Sequence, residues 1–389
     1  MTNEARGWSA VPSAASALTP SAPRRTGRSA VGRGLLLTLG GVLMVAALLL
    51  VMVAIGADTG LAGFAAGFVF SLVPVCIVLP ALLWLDRLEA EPVGQLLFAF
   101  GWGALVATSV ALVVNTYSVT VLTQHGGSVS TTAVLVAPWV EETCKGAAVL
   151  VVLLWRRQEF DGVVDGIVYA GLAGLGFAFT ENVLYLGRAL QEDGSSGLAM
   201  TFVLRCVFGP FAHPLFTMAI GVGLGIAVQT TRTWLKVVAP LAGLLVAVLL
   251  HGLWNLSAVA GLRGFVGVYV AVQVPIFAAA VGFAVWARRR ESRLIRRHLQ
   301  VYVASGWFTA AEAQMLGSTS ERRRARAWAR QVAGPPGRRA MRGFQAAATE
   351  LAFARDRATR TSASHGGSDV ERYLLQEVTA QRYALLGGR

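Results

Sequence analysis

TTAVLVAPWVEETCKGAAVLVVLLW, residues 131–155, decides how this chain is read. As a helix rising ~1.5 Å per residue it is long enough to cross a ~30 Å hydrocarbon core. Yet Glu141, Glu142 and Lys145 stand in its middle. An ionisable group at membrane depth costs at least ~2.5 kcal/mol, so such residues mark a functional site by default. Three further apolar runs repeat the pattern. Glu181 and Asn182 interrupt GIVYAGLAGLGFAFTENVLYL (166–186), His213 lies in VFGPFAHPLFTMAIGVGLG (207–225), and His251 and Asn255 lie in VVAPLAGLLVAVLLHGLWNL (237–256). Ionisable groups in four neighbouring runs form a constellation, the pattern of an active site inside a bilayer.

The rest of the chain agrees with a membrane setting. Hydrophobic residues make up 55% of the 389 and charged residues only 14%, the balance of a multi-pass membrane protein. The net charge of +13 does not indicate nucleic-acid binding, because the basic residues crowd at the ends of apolar runs and in the C-terminal region. Cys76, Cys144 and Cys206 lie in apolar runs without CxxC spacing, so neither a disulfide framework nor a thiolate metal site is indicated. Only Lys145 and Lys236 are lysines among the 34 basic residues, and one of the two stands within the site. That choice points to a chemical need for an amine.

The hydropathy pattern predicts an all-α polytopic bundle of about eight transmembrane helices, at roughly 35–56, 60–84, 95–119, 132–155, 163–187, 203–228, 236–259 and 264–287. Residues 1–33 read as a disordered basic tail, 34–287 as the transmembrane domain and 288–389 as a small, helical, Arg-rich cytoplasmic region. The first run, with Arg24, Arg25, Arg28 and Arg33 ahead of it, reads as a retained helix rather than a signal peptide, being longer than an h-region. The short loops carry Arg87, Arg156, Arg157, Arg232 and Lys236 on one side and little beyond Arg188 and Arg263 on the other. This asymmetry predicts a cell-membrane protein with both termini cytoplasmic. Counted from the outer face at ~1.5 Å per residue, Glu141, Glu181, His251 and His213 lie about nine, six, eight and ten residues deep, in the outer half of the membrane.

Local cues refine the picture. Gly166, Ala170, Gly174 and Ala178, four apart, allow a neighbouring helix to approach closely. Pro210 and Pro214 flank His213 and predict a kinked or broken helix there. In the C-terminal region, Thr309 with Glu312 and Ser368 with Glu371 have capping-box spacing, while GPPG (334–337) and SASHGGS (362–368) mark breaks. The run ERRRARAWAR faces either anionic lipid at the cytoplasmic surface or plain solvent.

On a helix Glu141 and Lys145 share a face, and Glu142 stands three residues from Lys145. The lysine favours ionised carboxylates while burial opposes them, a balance suited to a carboxylate that takes a proton from water. The bland alternative is a Glu–Lys pair that lets the segment insert with neutralised charge. The second carboxylate, which one lysine does not neutralise, argues against it. His251 and Asn255, one turn apart, suit an imidazole holding water or metal and an amide donating to an oxyanion; either histidine alone more often makes an interhelical hydrogen bond. Glu181 reads as a further acid, a ligand or packing glue, with Arg205 either its partner or a headgroup contact. Two glutamates and two histidines match a Zn²⁺ site of the His₂Glu kind, with His213, His251 and Glu142 as the candidate ligands. A metal-free, water-activating site remains equally open, since no HExxH is present.

At these residues the chain resembles the PrsW family of intramembrane proteases, relatives of the CAAX-prenyl-protease-like membrane peptidases. The resemblance rests on EExxK at Glu141–Lys145, FxxxEN from Phe177 to Asn182, His213 in FAHPLF, His251 in HGLWN and the acidic-proline segment DRLEAEP at 86–92, and covers roughly 60–287. It implies hydrolysis of peptide bonds in single-span membrane proteins such as anti-sigma factors. It further implies Glu141 or Glu142 as general base, Glu181, His213 and His251 holding water or metal, Asn255 supporting the oxyanion, and Phe177 and Asn182 in support. The CAAX-like relatives carry a histidine where this chain has Glu181, which leaves metal dependence open. The rival readings are a proton- or cation-coupled transporter using the same carboxylates, against which no internal repeat is visible, and a non-catalytic membrane scaffold.

Overall fold

The computed structural model describes residues 30–88, 90–155, 160–361 and 366–386, and among these all regular structure is helical. Of the tail expected at 1–33, residues 1–29 lie outside the described residues, as do Arg156 and Arg157.

The described chain forms two compact units, one of Arg28–Asp86 with Glu91–Val285 and one of Arg87–Ala90 with Trp286–Arg389. In the first unit the helices are α1 (Ala30–Leu85), α2 (Val93–Gln124), α3 (129–155), α4 (163–208), α5 (Ala212–Gln229) and α6 (Thr233–Val259), followed by the start of α7 (Gly261–Ala304). Five continuous stretches are long and apolar enough to cross a membrane: Thr38–Leu85, Val93–Gln124, Val163–Gln229, Thr233–Val259 and Gly261–Ala304. The two longest, Thr38–Leu85 (48 residues) and Val163–Gln229 (67 residues), are both interrupted. The first breaks at Gly60 (φ 61°, ψ 176°). The other breaks at Gly194 (φ 65°, ψ −150°) and again at 209–211, where the chain leaves the helix beside Pro210. The sequence segment 131–155 is helical like the rest but too charged to count among these stretches, because Glu141, Glu142 and Lys145 all fall inside it. The unit's exterior is apolar, with Leu61, Leu97, Leu135 and Leu249 exposed, as lipid-facing surface requires.

The lining of α4 is made of small residues for a reason visible in its packing. A Cβ on Gly166 would stand 2.0 Å from the carbonyl oxygen of Gly221, and one on Gly174 would stand 2.6 Å from the carbonyl oxygen of His213. With only hydrogen at these positions, α5 lies backbone to backbone against α4, as small-residue stripes permit in membranes. Four π-helical turns interrupt the bundle, at 102–107, 132–136, 203–208 and 269–273. Such turns release carbonyls from the regular ladder and are frequent near functional sites. Ala104 and Ala133, both inside them, accept from Thr180 Oγ1 (2.8 Å) and Asn255 Nδ2 (2.7 Å) respectively.

The second unit contains the end of α7, α8 (Ala310–Leu316), α9 (Thr319–Thr361) and α10 (Gly366–Leu386). Thr309 and Glu312 form the expected capping box at α8. The GPPG break is present: Gly334 (φ 64°, ψ −158°) reverses α9 on itself, in a conformation that glycine adopts without a Cβ penalty. Of the second break, 362–365 lie outside the described residues, as does the side chain of Ser368, which stands inside α10 rather than ahead of it. Ile295, Leu299, Phe308, Leu316, Met341, Phe344, Leu351 and Val378 make this unit's core, which also takes in Leu88.

Candidate active site

α3 presents Glu141, Glu142 and Lys145 on its buried face, one turn beyond the π-helical turn at 132–136. Glu142 and Lys145 are wholly buried and Glu141 is 4% exposed. The Lys145 ammonium donates to Glu142 Oε1 (2.7 Å) and Glu141 Oε2 (3.4 Å) and lies 3.1 Å from His213 Nδ1. It also stands 3.8 Å above the centre of the Phe177 ring, which supplies the soft, desolvated side of its environment.

The two adjacent glutamates differ. Glu142 takes three donors: Oε1 receives Lys145 and His251 Nδ1 (3.0 Å), and Oε2 receives the Thr217 hydroxyl (2.8 Å). Glu141 is held loosely, by Asn115 Nδ2 on Oε1 (3.2 Å) and by Lys145 on Oε2. Its Oε2 faces His251 Nε2 at 3.7 Å.

The contacts assign the tautomers. His251 donates from Nδ1 to the Glu142 carboxylate, so Nε2 carries the lone pair that faces Glu141. His213 accepts from Lys145 at Nδ1 and donates from Nε2 to Glu181 Oε2 (2.9 Å). Glu181 is paired in turn with Arg205, which also donates to Asn182 Oδ1 (2.7 Å) and lies over the Tyr185 ring. Arg205 is therefore the partner of Glu181. Three carboxylates face two cations, leaving one negative charge, and Glu141 has the weakest partners.

α4, α5 and α6 thus bring Glu181, His213 and His251 against α3, as the sequence pattern predicts. Asn255, expected to support an oxyanion, donates from its amide Nδ2 to the Ala133 carbonyl (2.7 Å). The ligand atoms of Glu141, His213 and His251 lie within 4.8 Å of one another, while the oxygens of Glu142 receive Lys145, His251 and Thr217. Thr217, four residues after His213 on α5, and Asn115 on α2 were not singled out from sequence. The signal for both was a polar residue inside an apolar run, weak for threonine and stronger for the mid-membrane asparagine.

A second polar cluster lies at the α1–α2 connection, within DRLEAEP. The Glu91 amide donates to both Asp86 carboxylate oxygens (3.1 and 3.1 Å), and Tyr169 of α4 donates to Glu91 Oε2 (2.7 Å) and Gln95 Oε1 (2.5 Å). Asp165 caps the start of α4 through the amides of Asp161 (2.8 Å) and Gly162 (2.9 Å). Burial raises the pKa of Asp86 to about 7. Burial, and then the charge of Asp165, raises that of Glu91 to about 9.

Apolar helices packed around a buried carboxylate–histidine–lysine centre define a polytopic membrane protein with a charged centre among its helices. The family described as PrsW family intramembrane metalloprotease matches residues 91–280. Protease PrsW of Geobacillus kaustophilus is 31% identical over 175 residues, 44% of this chain and 69% of that one. The chain belongs to the PrsW family. Protease PrsW of Oceanobacillus iheyensis is 39% identical over 117 residues, 30% of this chain and 48% of its own. That of Bacillus subtilis is 28% identical over 175 residues, 44% and 72%. The chain thus spans about half the length of the first relative and about two thirds of the others. No solved structure matches.

Proposed function

We propose that the chain hydrolyses peptide bonds of single-span membrane proteins at the Glu141–His251 centre, anti-sigma factors being the substrate class that family resemblance implies. The carrying observation is the pair of lone pairs, Glu141 Oε2 and His251 Nε2, facing each other at 3.7 Å in a buried, negatively unbalanced site. Two acceptors at that separation hold a water by its hydrogens and leave its oxygen lone pair free for a carbonyl carbon. Glu141, with its weak partners, is the base that takes the proton; a positioned base contributes typically 10²–10⁴-fold. Glu142 holds His251 in the required tautomer and anchors Lys145. Glu181 and Arg205 hold His213 against the lysine. Asn182 steadies Arg205.

The donor set also fits a divalent metal. Glu141, His213 and His251 place one carboxylate oxygen and two ring nitrogens within 4.8 Å, a His₂Glu set that would take a metal once one His213 nitrogen is released from Lys145 or Glu181, and the Glu142–His251 contact is the carboxylate support that ligating histidines usually have. Bound zinc supplies Lewis acidity and lowers the pKa of its water. Glu142 then acts as the support of a ligand, not as a ligand.

The reading extends to placement. With the breaks at Gly60 and Gly194 each separating two crossings, and the one at 209–211 a kink within the sixth, the five long stretches and the charged helix α3 make eight spans. Loop arginines then place both termini in the cytoplasm of a cell-membrane protein and the site in the outer half of the bilayer. Residues 34–287 are the catalytic domain and 288–389 the cytoplasmic region.

The test uses the purified full chain and Glu141→Gln in detergent against a panel of single-span fusion proteins, with bound zinc quantified and chelator added. Cleavage by wild type alone supports the assignment; chelator sensitivity reversed by zinc selects the metal form. Full activity in Glu141→Gln, or no cleavage of any substrate, sinks it.

A further inference from the structure

We propose that Arg87, Arg323, Arg326, Arg338 and Arg342 form one binding site for the phosphate-bearing headgroups of anionic phospholipid. The site is built by the turn in α9. Gln345 Nε2 donates to the Arg322 carbonyl (3.1 Å), Arg322 donates to the Thr349 hydroxyl, and a Cβ on Gly337 would stand 2.5 Å from the Ala329 carbonyl oxygen. These contacts fix an antiparallel hairpin in which residue 326 lies opposite the 338–342 turn. Arg323 and Arg326 are three apart and Arg338 and Arg342 four apart, so each pair occupies one helix face. The faces flank the buried seam of Ala325, Ala329, Ala340 and Met341.

None of the five forms an ion pair among the described residues, and Arg87, Arg323, Arg338 and Arg342 are exposed. Burial, and then the charges of Arg342, Arg338, Arg323 and Arg87, lowers the pKa of Arg326. The nearest acid in sequence, Glu321, is paired with Arg324. Guanidinium groups held together against their own repulsion, without carboxylates, match an anion with several acceptor oxygens, and the planar fork suits phosphate.

The position along the chain selects the source of that phosphate. Arg87 stands two residues beyond Leu85, the last residue of an apolar stretch, at most ~7 Å of chain away. Trp84 precedes it, and Trp286 on α7 precedes Arg288, which stands within Coulombic reach of Arg87 and Arg323. Tryptophan at the end of an apolar stretch marks headgroup level, where arginines meet anionic lipid.

The experiment is native mass spectrometry of the full chain released from detergent after incubation with phosphatidylglycerol, phosphatidylcholine, inorganic phosphate or tripolyphosphate. Retention of phosphatidylglycerol should exceed that of the R323Q/R326Q/R338Q/R342Q variant by at least about tenfold, with phosphatidylcholine retention equal in both. The quadruple Arg→Lys variant should keep most of the binding. Where the Gln variant fails to fold, Arg326→Gln alone should retain roughly two- to fivefold less than wild type. Equal phosphatidylglycerol retention in wild type and folded variants overturns the proposal. So does displacement of the lipid by equimolar tripolyphosphate, which would make this a site for a soluble polyanion.

Discussion

Glu141 and Glu142, neighbours in the chain, approach opposite nitrogens of one imidazole: Glu142 Oε1 lies 3.0 Å from His251 Nδ1 and Glu141 Oε2 lies 3.7 Å from His251 Nε2. The side chains of adjacent helical residues diverge by about 100°, so a single ring can be flanked this way only when a second helix inserts it between them. α6 provides it. The arrangement gives the two carboxylates different work despite their identical chemistry.

Substitution by glutamine should therefore separate them. Glu141→Gln removes the base and the unbalanced charge together, so activity should fall by at least about 10²-fold while detergent melting temperature holds or rises. Glu142→Gln strips buried Lys145 of its 2.7 Å partner and should destabilise by roughly 3–5 kcal/mol, the usual cost of orphaning one member of a buried pair. Melting curves and cleavage rates of both variants check this. Equal destabilisation in the two would contradict the division of roles.

Thr217 has no acid–base chemistry of its own, and its hydroxyl reaches Glu142 Oε2 at 2.8 Å. Thr217→Val should cost about 1–3 kcal/mol of stability for the carboxylate oxygen left unsatisfied and lower turnover roughly 10–100-fold through the loosened His251 support. Thr217→Ser should restore most of both. A valine variant with wild-type turnover would show that the Glu142–His251 contact stands without it.

The sequence carries the all-helical class and most of the site for one physical reason: charge in an apolar run is costly, so it is conspicuous. Glu141, Glu142, Lys145, Glu181, His213 and His251 all stood out this way, and the structure gathers all six. What spacing leaves out is equally physical. Asn255 shares a face with His251 by spacing, but spacing does not reveal the Ala133 carbonyl released by a π-helical turn, which captures the amide. The partners of Glu142 are likewise out of reach of spacing: the Thr217 hydroxyl on its Oε2 comes from 75 residues away. Eight separate runs were legible as hydropathy, yet the helices run through several of the expected gaps, since loops such as the one at Gly60 are no more than a one-residue break.

The small-residue stripe is a precise constraint on the site as well as on packing. Gly174 lies directly against the His213 backbone, where a Cβ would come within 2.6 Å of its carbonyl oxygen and 2.8 Å of Pro214 Cα. Neither is the end of a flexible side chain, so Gly174→Ala must push α5 outward and carry His213 from Lys145 and Glu181. A shift near 1 Å costs on the order of 10²-fold in rate, and kcat should fall far more than KM rises. Ala178→Gly on the same stripe adds no atom and serves as the control. Wild-type kcat in Gly174→Ala would mean that His213 does not need this placement.

The Asp86–Glu91 cluster makes a prediction about pH. Glu91 titrates near 9 and Asp86 near 7 in the folded chain, against 4.5 and 3.8 for the free groups. Asp161 and Asp165 add negative charge beside Glu91, while Tyr169 donates to it. Folded pKa values above the unfolded ones mean that the native state holds more protons through this window, so stability falls as pH rises. The Asp86 contribution is lost between about pH 3.8 and 7 and that of Glu91 between about pH 4.5 and 9, in contrast to a salt-bridged carboxylate, which stabilises on the alkaline side. Glu91→Gln keeps an acceptor for the Tyr169 hydroxyl and removes the titration. Its melting temperature should exceed that of wild type at pH 8 by several degrees, at about 2–4 °C per kcal/mol, and converge with it near pH 4.5. A constant difference across that range would show that the Glu91 carboxyl does not change protonation on unfolding, and that the cluster is held by geometry alone.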